Sequence, residues 1–182
     1  MKKCSFSSWR SKIAGTLGGK MLIAHPLLED EQFAKTVLFV ENDSGNAVTG
    51  IILNRPLSIM LKSLKTEFEN LPISNVPVYH GGQDGETLVS LTAWVFDDRK
   101  KLFEVYYTLD GNEATALLET KENIQLRAFL GFCEFDKKLY DDIENGLWIV
   151  ENAAELFGVQ EHEENLWRSM LLRKNPNALV YK

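Results

Sequence analysis

The sequence predicts an α+β fold: a mixed, mainly antiparallel sheet with helices flanking it. Three observations point there. Residues 37–40 are four consecutive apolar residues, the turn residues Asp43-Ser44-Gly45-Asn46 follow, and a second apolar run occupies 48–53. Strands joined by so short a turn pair antiparallel. Helices are interspersed among the strands but do not alternate with them strictly, and the early strands join by short turns, so the regular order of a doubly wound parallel sheet is missing. Finally, residues 161–173 space Leu166, Trp167, Met170 and Leu171 at helical intervals, which marks a helix with one apolar side.

The elements follow in order. Residues 1–17 are polar and basic, with Trp9, Ile13 and Leu17 four apart. This reads either as a loosely ordered extension or as a short helix that docks its stripe on the body or on a neighbouring subunit. Residues 21–24 are apolar and stop at Pro26, too short for a helix and suited to a strand. The run 37–40 is rich in β-branched and aromatic side chains, as in a strand covered on both faces. Gly50 inside the returning strand predicts a bulge or a close backbone approach. Ile59, Leu61, Leu64 and Phe68 predict a short helix with Ser58 as N-cap. Residues 71–77 read as a loop, and 78–80 as a strand entering Gly81-Gly82.

Residues 88–96 and 102–109 read as strands around the polar turn 97–100. The Ala- and Glu-rich stretch 111–121 should be helical. Residues 125–133 alternate well enough for a central strand. Asp136 is placed to cap a helix through Asn145, with Gly146 at the position where a left-handed glycine ends it. A last short strand covers 147–150 before the C-terminal helix, which carries Glu163 and Glu164 near its start and Arg173 and Lys174 at its end.

The chain has 182 residues, 45% of them hydrophobic and 25% charged, the balance of an ordinary globular protein. It is read as an N-terminal extension over 1–17 and a single domain over 18–182. A formal charge of −6 disfavours a broad electrostatic grip on nucleic-acid phosphates. The two cysteines, Cys4 and Cys133, fit no zinc spacing and are read as reduced thiols. No apolar run approaches the roughly 18 residues of a membrane span, and serines with Arg10 and Lys12 interrupt any signal-peptide core. A cytoplasmic location is expected, with no membrane contact.

Candidate chemistry centres on His25, His80 and the turn Asn54-Arg55-Pro56, each following a predicted strand. Arg55 has the chemistry to clamp a phosphate or carboxylate bidentately, and a histidine to move a proton near neutral pH. The competing reading is that Asn54 and Arg55 bond local backbone and hold a turn. Gly81 and Gly82 offer a backbone nest for an anion, but Asp84 opposes one and a tight turn is the simpler account. The acidic residues Glu134, Asp136, Asp141, Asp142 and Glu144 match no metal-loop spacing and read as a solvated helix face. Position 166, a leucine, denies His162 a zinc motif. Trp94, Trp148 and Trp167 are read as core. No nucleophile motif accompanies these residues, so no catalytic residue, cofactor or metal is assigned.

Several segments carry a family resemblance. Gly19 to Pro26, Gly50 to Pro56, Gly81-Gly82-Gln83, Phe129-Leu130-Gly131-Phe132 and the stretch from Asp142 to Trp148 are similar, in order, to motifs of the YqgE/AlgH family of small bacterial proteins. The resemblance spans roughly 18–172. It implies a compact α+β structure whose bent sheet closes into a pseudo-barrel. The chain departs from the pattern at Gln83, usually proline, and over 133–139, which is more acidic and looks one residue shorter. Some members of the family are described as transcriptional regulators.

Together these readings lead to a non-enzymatic protein that is either regulatory or binds a protein partner or small ligand, with a homodimer as one form of partnership. The alternative is a small-molecule or nucleotide-binding enzyme using a pocket near Asn54, Arg55 and His80. Direct nucleic-acid binding is disfavoured by charge and by the lack of a helix-turn-helix.

Overall fold

The computed structural model describes residues 2–7, 17–97, 102–154, 165–174 and 176–177. It is a mixed α+β structure, mostly strands, and the described residues cluster into two compact units. Readings that fall on Trp9, Ile13, the 98–100 turn, His162, Glu163 and Glu164 lie outside the described residues.

The first unit combines the strand β1 (Lys2–Ser7) with Pro56–Gly131. Its strands are β5 (Pro56–Met60), β6 (Pro77–His80), β7 (Asp84–Asp97), β8 (Leu102–Leu109) and the start of β9 (Ile124–Phe135). The order is β1-β8-β7-β9-β6-β5. β1–β8, β7–β8 and β5–β6 are antiparallel, whereas β6 and β9 run parallel, with Tyr79 opposite Phe129 and His80 opposite Leu130. One face packs Val78, Leu91, Ala93, Val95, Leu126 and Ala128 into a core. Helix α1 (Gly111–Thr120) closes that core with Ala114 and Leu117. Asp110 caps the helix by accepting from the backbone N–H of Asn112 and Glu113, while Glu113 reaches back to the Asp110 N–H. Such a reciprocal box contributes about 1 kcal/mol.

The second unit holds β2 (Lys20–Ala24), β3 (Val37–Asp43), β4 (Val48–Ile52) and β10 (Trp148–Asn152) with the last residues of β9. The order β9-β4-β3-β2-β10 is antiparallel throughout. Met21, Leu22, Ile23, Val37, Leu38, Phe39 and Val40 are fully buried, each such side chain contributing roughly 1.5–3 kcal/mol. Gly50 sits where a Cβ would lie 2.4 Å from the Phe39 carbonyl, and the bulge falls across from it, between Val40 and Asn42. Helix α2 (Lys138–Glu144) ends at Gly146 with φ +74°. Helix α3 (Leu166–Lys174) buries Leu166, Trp167, Met170 and Leu171, and the Trp167 indole donates to the Ala24 carbonyl at 2.7 Å.

Three expectations need correction. The pseudo-barrel closure is not found, because the sheet is open. No pairing among the described strands joins β1 to β5 in the first unit, or β10 to β9 in the second. The edges explain this: β5 opens on Pro56, which has no N–H to donate, and its register shifts before Met60. The helix expected from Ile59 to Phe68 is instead strand β5 followed by two 3₁₀ turns, Leu61–Ser63 and Thr66–Phe68. Ser58, expected as its N-cap, lies inside the strand at φ 56°. Tertiary pairing with β6 outweighed a weak helical spacing. Finally, residues 2–7 are a strand rather than loose chain, because β8 offers them a complete antiparallel register from Tyr107 to Leu102.

Candidate functional site

His25, Asn54 and Arg55 belong to the second unit, and His80, Gly81 and Gly82 to the first. Each group is built differently.

In the second unit, β2 delivers His25 to a turn. Its backbone N–H donates to the Leu147 carbonyl at 2.9 Å, and its Nδ1 accepts from the Leu27 N–H at 3.2 Å. An accepting Nδ1 carries no proton, so the Nε2 position holds it in the neutral ring. Asn54 follows β4. Its side-chain oxygen accepts from the Val37 N–H at 2.9 Å and its amide donates to the Lys35 carbonyl at 2.9 Å. Lys35 sits at φ 60°, a left-handed conformation that the Asn54 bond holds in place. Arg55 donates through Nη2 to the Gln32 carbonyl at 2.5 Å. Asn54 and Arg55 therefore brace the segment before β3, in line with the turn-holding reading.

That segment is organised by its own residues. Asp30 accepts from the Gln32 N–H through its side chain and from the Phe33 and Ala34 N–H groups through its carbonyl. Thr36 hydroxyl donates to the Phe33 carbonyl at 2.7 Å. The Phe33 ring stands against Phe135, at 4.9 Å between centroids, and against Trp148, at 6.0 Å.

In the first unit, β6 ends at His80, whose Nδ1 is buried without a hydrogen-bond partner. Gly81 donates to the Leu130 carbonyl at 2.8 Å. A Cβ on Gly81 would lie 2.3 Å from the Gly131 carbonyl oxygen, and one on Gly131 would lie 2.3 Å from that of Gly82. Backbone lies against backbone here, so Gly81 and Gly131 allow a close approach of neighbouring main chain.

Sequence reasoning missed Arg127. It is buried on β9, with its guanidinium carbon 4.9 Å from the Tyr79 ring centroid and 5.7 Å from that of Trp94. Burial draws its pKa down to about 10, so the group stays charged at neutral pH and the two rings help hold that charge. The available signal was a single cation inside the apolar run 126–130. Also missed was Glu104, buried beside α1: the Tyr106 hydroxyl donates to it at 2.5 Å and Lys121 lies 3.5 Å away.

Lys138 and Asp142 form an i,i+4 ion pair at 2.8 Å, as expected of a solvated helix face. Among the described residues no three metal-ligating side chains cluster, and no helix is long and apolar enough to cross a membrane. Cys133 is buried.

The family model described as AlgH-like matches residues 21–178. Among curated relatives, the UPF0301 protein BF2109 of Bacteroides fragilis is 26% identical over 167 residues, covering 84% of this chain and 80% of the relative. A UPF0301 protein of Thermobifida fusca is 28% identical over 182 residues, covering 91% and 90%. The crystal structure of protein DIP2367 from Corynebacterium diphtheriae superposes with a TM-score of 0.65 at 20% identity, covering 96% of this chain and 95% of that one. The solution structure of the AlgH protein from Pseudomonas aeruginosa gives 0.62 at 18% identity, covering 95% and 97%. At these identities the structural likeness shows the fold.

Proposed function

The chain belongs to the AlgH-like family, and from that membership and the site geometry we propose that it acts as a non-enzymatic regulatory or partner- or ligand-binding protein. One observation carries this reading. The polar side chains best suited to chemistry after β4 are engaged in structure: Asn54 bonds the backbone of Val37 and Lys35, and Arg55 bonds that of Gln32. A side chain that must hold a turn is poorly placed to rearrange around a transition state. The reading includes a cytoplasmic setting, a homodimer as one form of partnership, and regulation without direct nucleic-acid contact, in keeping with a charge of −6.

The test pairs a thermal-shift screen of a metabolite library with affinity capture on the intact chain. Stabilisation by a ligand, or stoichiometric capture of a partner, without turnover is the expected result. Turnover of a phosphoester, acyl or nucleotide substrate that Arg55→Ala abolishes would overturn it. A second reading, a small-molecule or nucleotide-binding enzyme, is favoured by His80, whose buried Nδ1 lacks a partner. Its expectation is a substrate whose turnover His80→Gln removes.

A further inference from the structure

Thr92 and Trp94 are fully buried, yet the Thr92 hydroxyl and the Trp94 indole N–H have no hydrogen-bond partner among the described residues. A buried donor left unpaired costs free energy that a bonded acceptor restores. Both residues belong to β7 in the first unit. Leu91, Ala93 and Val95 turn into the core of that unit, so alternation sends Thr92 and Trp94 to the opposite face. Arg127 lies between the core residues Leu126 and Ala128, and Tyr79 follows the core residue Val78, which puts them on that same face. The ring contacts agree. The Arg127 guanidinium carbon is 5.7 Å from the centroid of the Trp94 ring and 4.9 Å from that of Tyr79. The Phe129 ring lies 6.2 Å from Trp94 and 5.5 Å from Tyr79.

The ladder is distorted at the same level. Leu91 pairs with Leu109 and Ala93 with Tyr106, so Tyr107 and Thr108 together stand opposite Thr92. Thr108 takes φ 55°. A bulge of this kind re-aims the side chains beside it. Trp94 and Arg127 can only donate hydrogen bonds, and the Thr92 hydroxyl can donate as well. Donors beside a buried cation suit an acceptor that carries negative charge. One cation favours one negative charge. A doubly charged phosphate would bring unbalanced charge into a place where burial already draws the Arg127 pKa down to about 10. The rings of Tyr79, Trp94 and Phe129 suit an apolar body joined to the charged group.

We propose that this face of the first unit binds a small organic monocarboxylate, whose oxygens accept from Trp94 Nε1 and Thr92 Oγ1 and whose charge is met by Arg127. The proposal rests on the ligand-binding part of the reading above and names the chemistry of the ligand. Ordered water is the competing occupant, and the experiment separates the two.

The probes are acetate and benzoate, with chloride and inorganic phosphate at matched ionic strength as controls. They are titrated into the full chain, and thermal melts and indole N–H resonances are recorded. A carboxylate should raise the melting temperature saturably, by about 3–6 °C at a tenfold excess over its Kd, and the controls should not. The Trp94 indole resonance should move on titration, while that of Trp167, which bonds the Ala24 carbonyl, stays in place. Thr92→Val and Trp94→Phe keep much of the shape and remove one donor each. Each should weaken the carboxylate about tenfold. Should a variant fail to fold, the Trp94 resonance of the parent chain still decides. No stabilisation beyond that of chloride, a Trp94 resonance that does not move, or variants that bind as the parent does would each overturn the proposal. So would phosphate acting more strongly than either carboxylate, since the charge argument then fails. A Thr92→Val chain more stable than the parent, with no response to carboxylate in either, assigns the donors to ordered water and overturns it too. Failure here with a partner or another ligand still captured leaves the broader reading standing; turnover by the parent chain sinks that reading without touching the titration.

Discussion

The Tyr140 hydroxyl of α2 donates a short hydrogen bond to the Asp43 carboxylate at the end of β3, across 97 positions of sequence. The same carboxylate accepts from the Leu17 N–H at 2.7 Å and the Gly45 N–H at 2.9 Å. One side chain thus joins the β3–β4 turn, the residue ahead of β2 and helix α2.

This junction gives a pH dependence. Burial pushes the Asp43 pKa up, but the bonds from Leu17, Tyr140 and Gly45 outweigh it and hold the carboxyl below its usual value of 3.8. A depressed acid stabilises the fold above its unfolded pKa, and that contribution fades as pH falls through the lower, folded one. The Asp43 bond, followed by burial, pushes Tyr140 up to about 12 from 10.0. That contribution is complete below pH 10 and is lost as pH rises toward 12. Both groups are largely solvated, so Tyr140→Phe should cost only about 0.5–1 kcal/mol at neutral pH. Urea denaturation of parent and variant should converge at both pH extremes.

Gly131 and Gly146 share a φ of +74° but differ in surroundings. A Cβ on Gly131 would meet the carbonyl oxygens of Gly82 at 2.3 Å and Asp84 at 3.0 Å, while one on Gly146 meets nothing within 4 Å. Gly146→Ala should cost about 1–2 kcal/mol, the left-handed penalty alone. Gly131→Ala should cost more than about 4 kcal/mol, since backbone must move where β9 lies against the segment from Gly82 to Asp84. Denaturation midpoints of the two variants decide the matter; equal losses would disprove the steric account.

Asn54→Ala removes two backbone partners at once and should destabilise by about 2 kcal/mol, leaving the Val37 N–H and Lys35 carbonyl without it. Asn54→Asp keeps the acceptor for Val37 but loses the donor for Lys35, so its loss should fall between. Hydrogen exchange at Val37 is the sensitive readout, rising in the alanine variant.

Arg127→Ala should destabilise by about 2 kcal/mol or more through the loss of its charge and stem against Tyr79 and Trp94. Arg127→Lys should recover only part of this, because an ammonium lacks the flat surface that stacks on a ring. Tryptophan fluorescence should change in both variants, since Trp94 is fully buried beside the arginine.

Much of the fold was legible locally. The apolar runs at 21–24 and 37–40 are buried strands, Asp43-Ser44-Gly45-Asn46 makes the turn between β3 and β4, and Gly50 marks a close approach. These signals lie within a few residues of what they specify. The stretch after Pro56 was misread because Ile59, Leu61, Leu64 and Phe68 fit a helix as well as a strand leading into tight turns. Only the partner β6 breaks that tie. Asn54 and Arg55 were placed at a turn, but the carbonyls and N–H they hold lie 17 to 23 residues earlier. Arg127 showed itself only as one cation in an apolar strand.

From its own order of residues the chain determined which segments extend, which coil and where they turn, because steric preference, capping and the spacing of apolar side chains act over a few positions. Tertiary structure alone decided that β6 runs parallel to β9, that Asp43 meets Tyr140 and that two rings flank Arg127. Those contacts join residues far apart in sequence, and each depends on which strands win neighbours when apolar surface is buried.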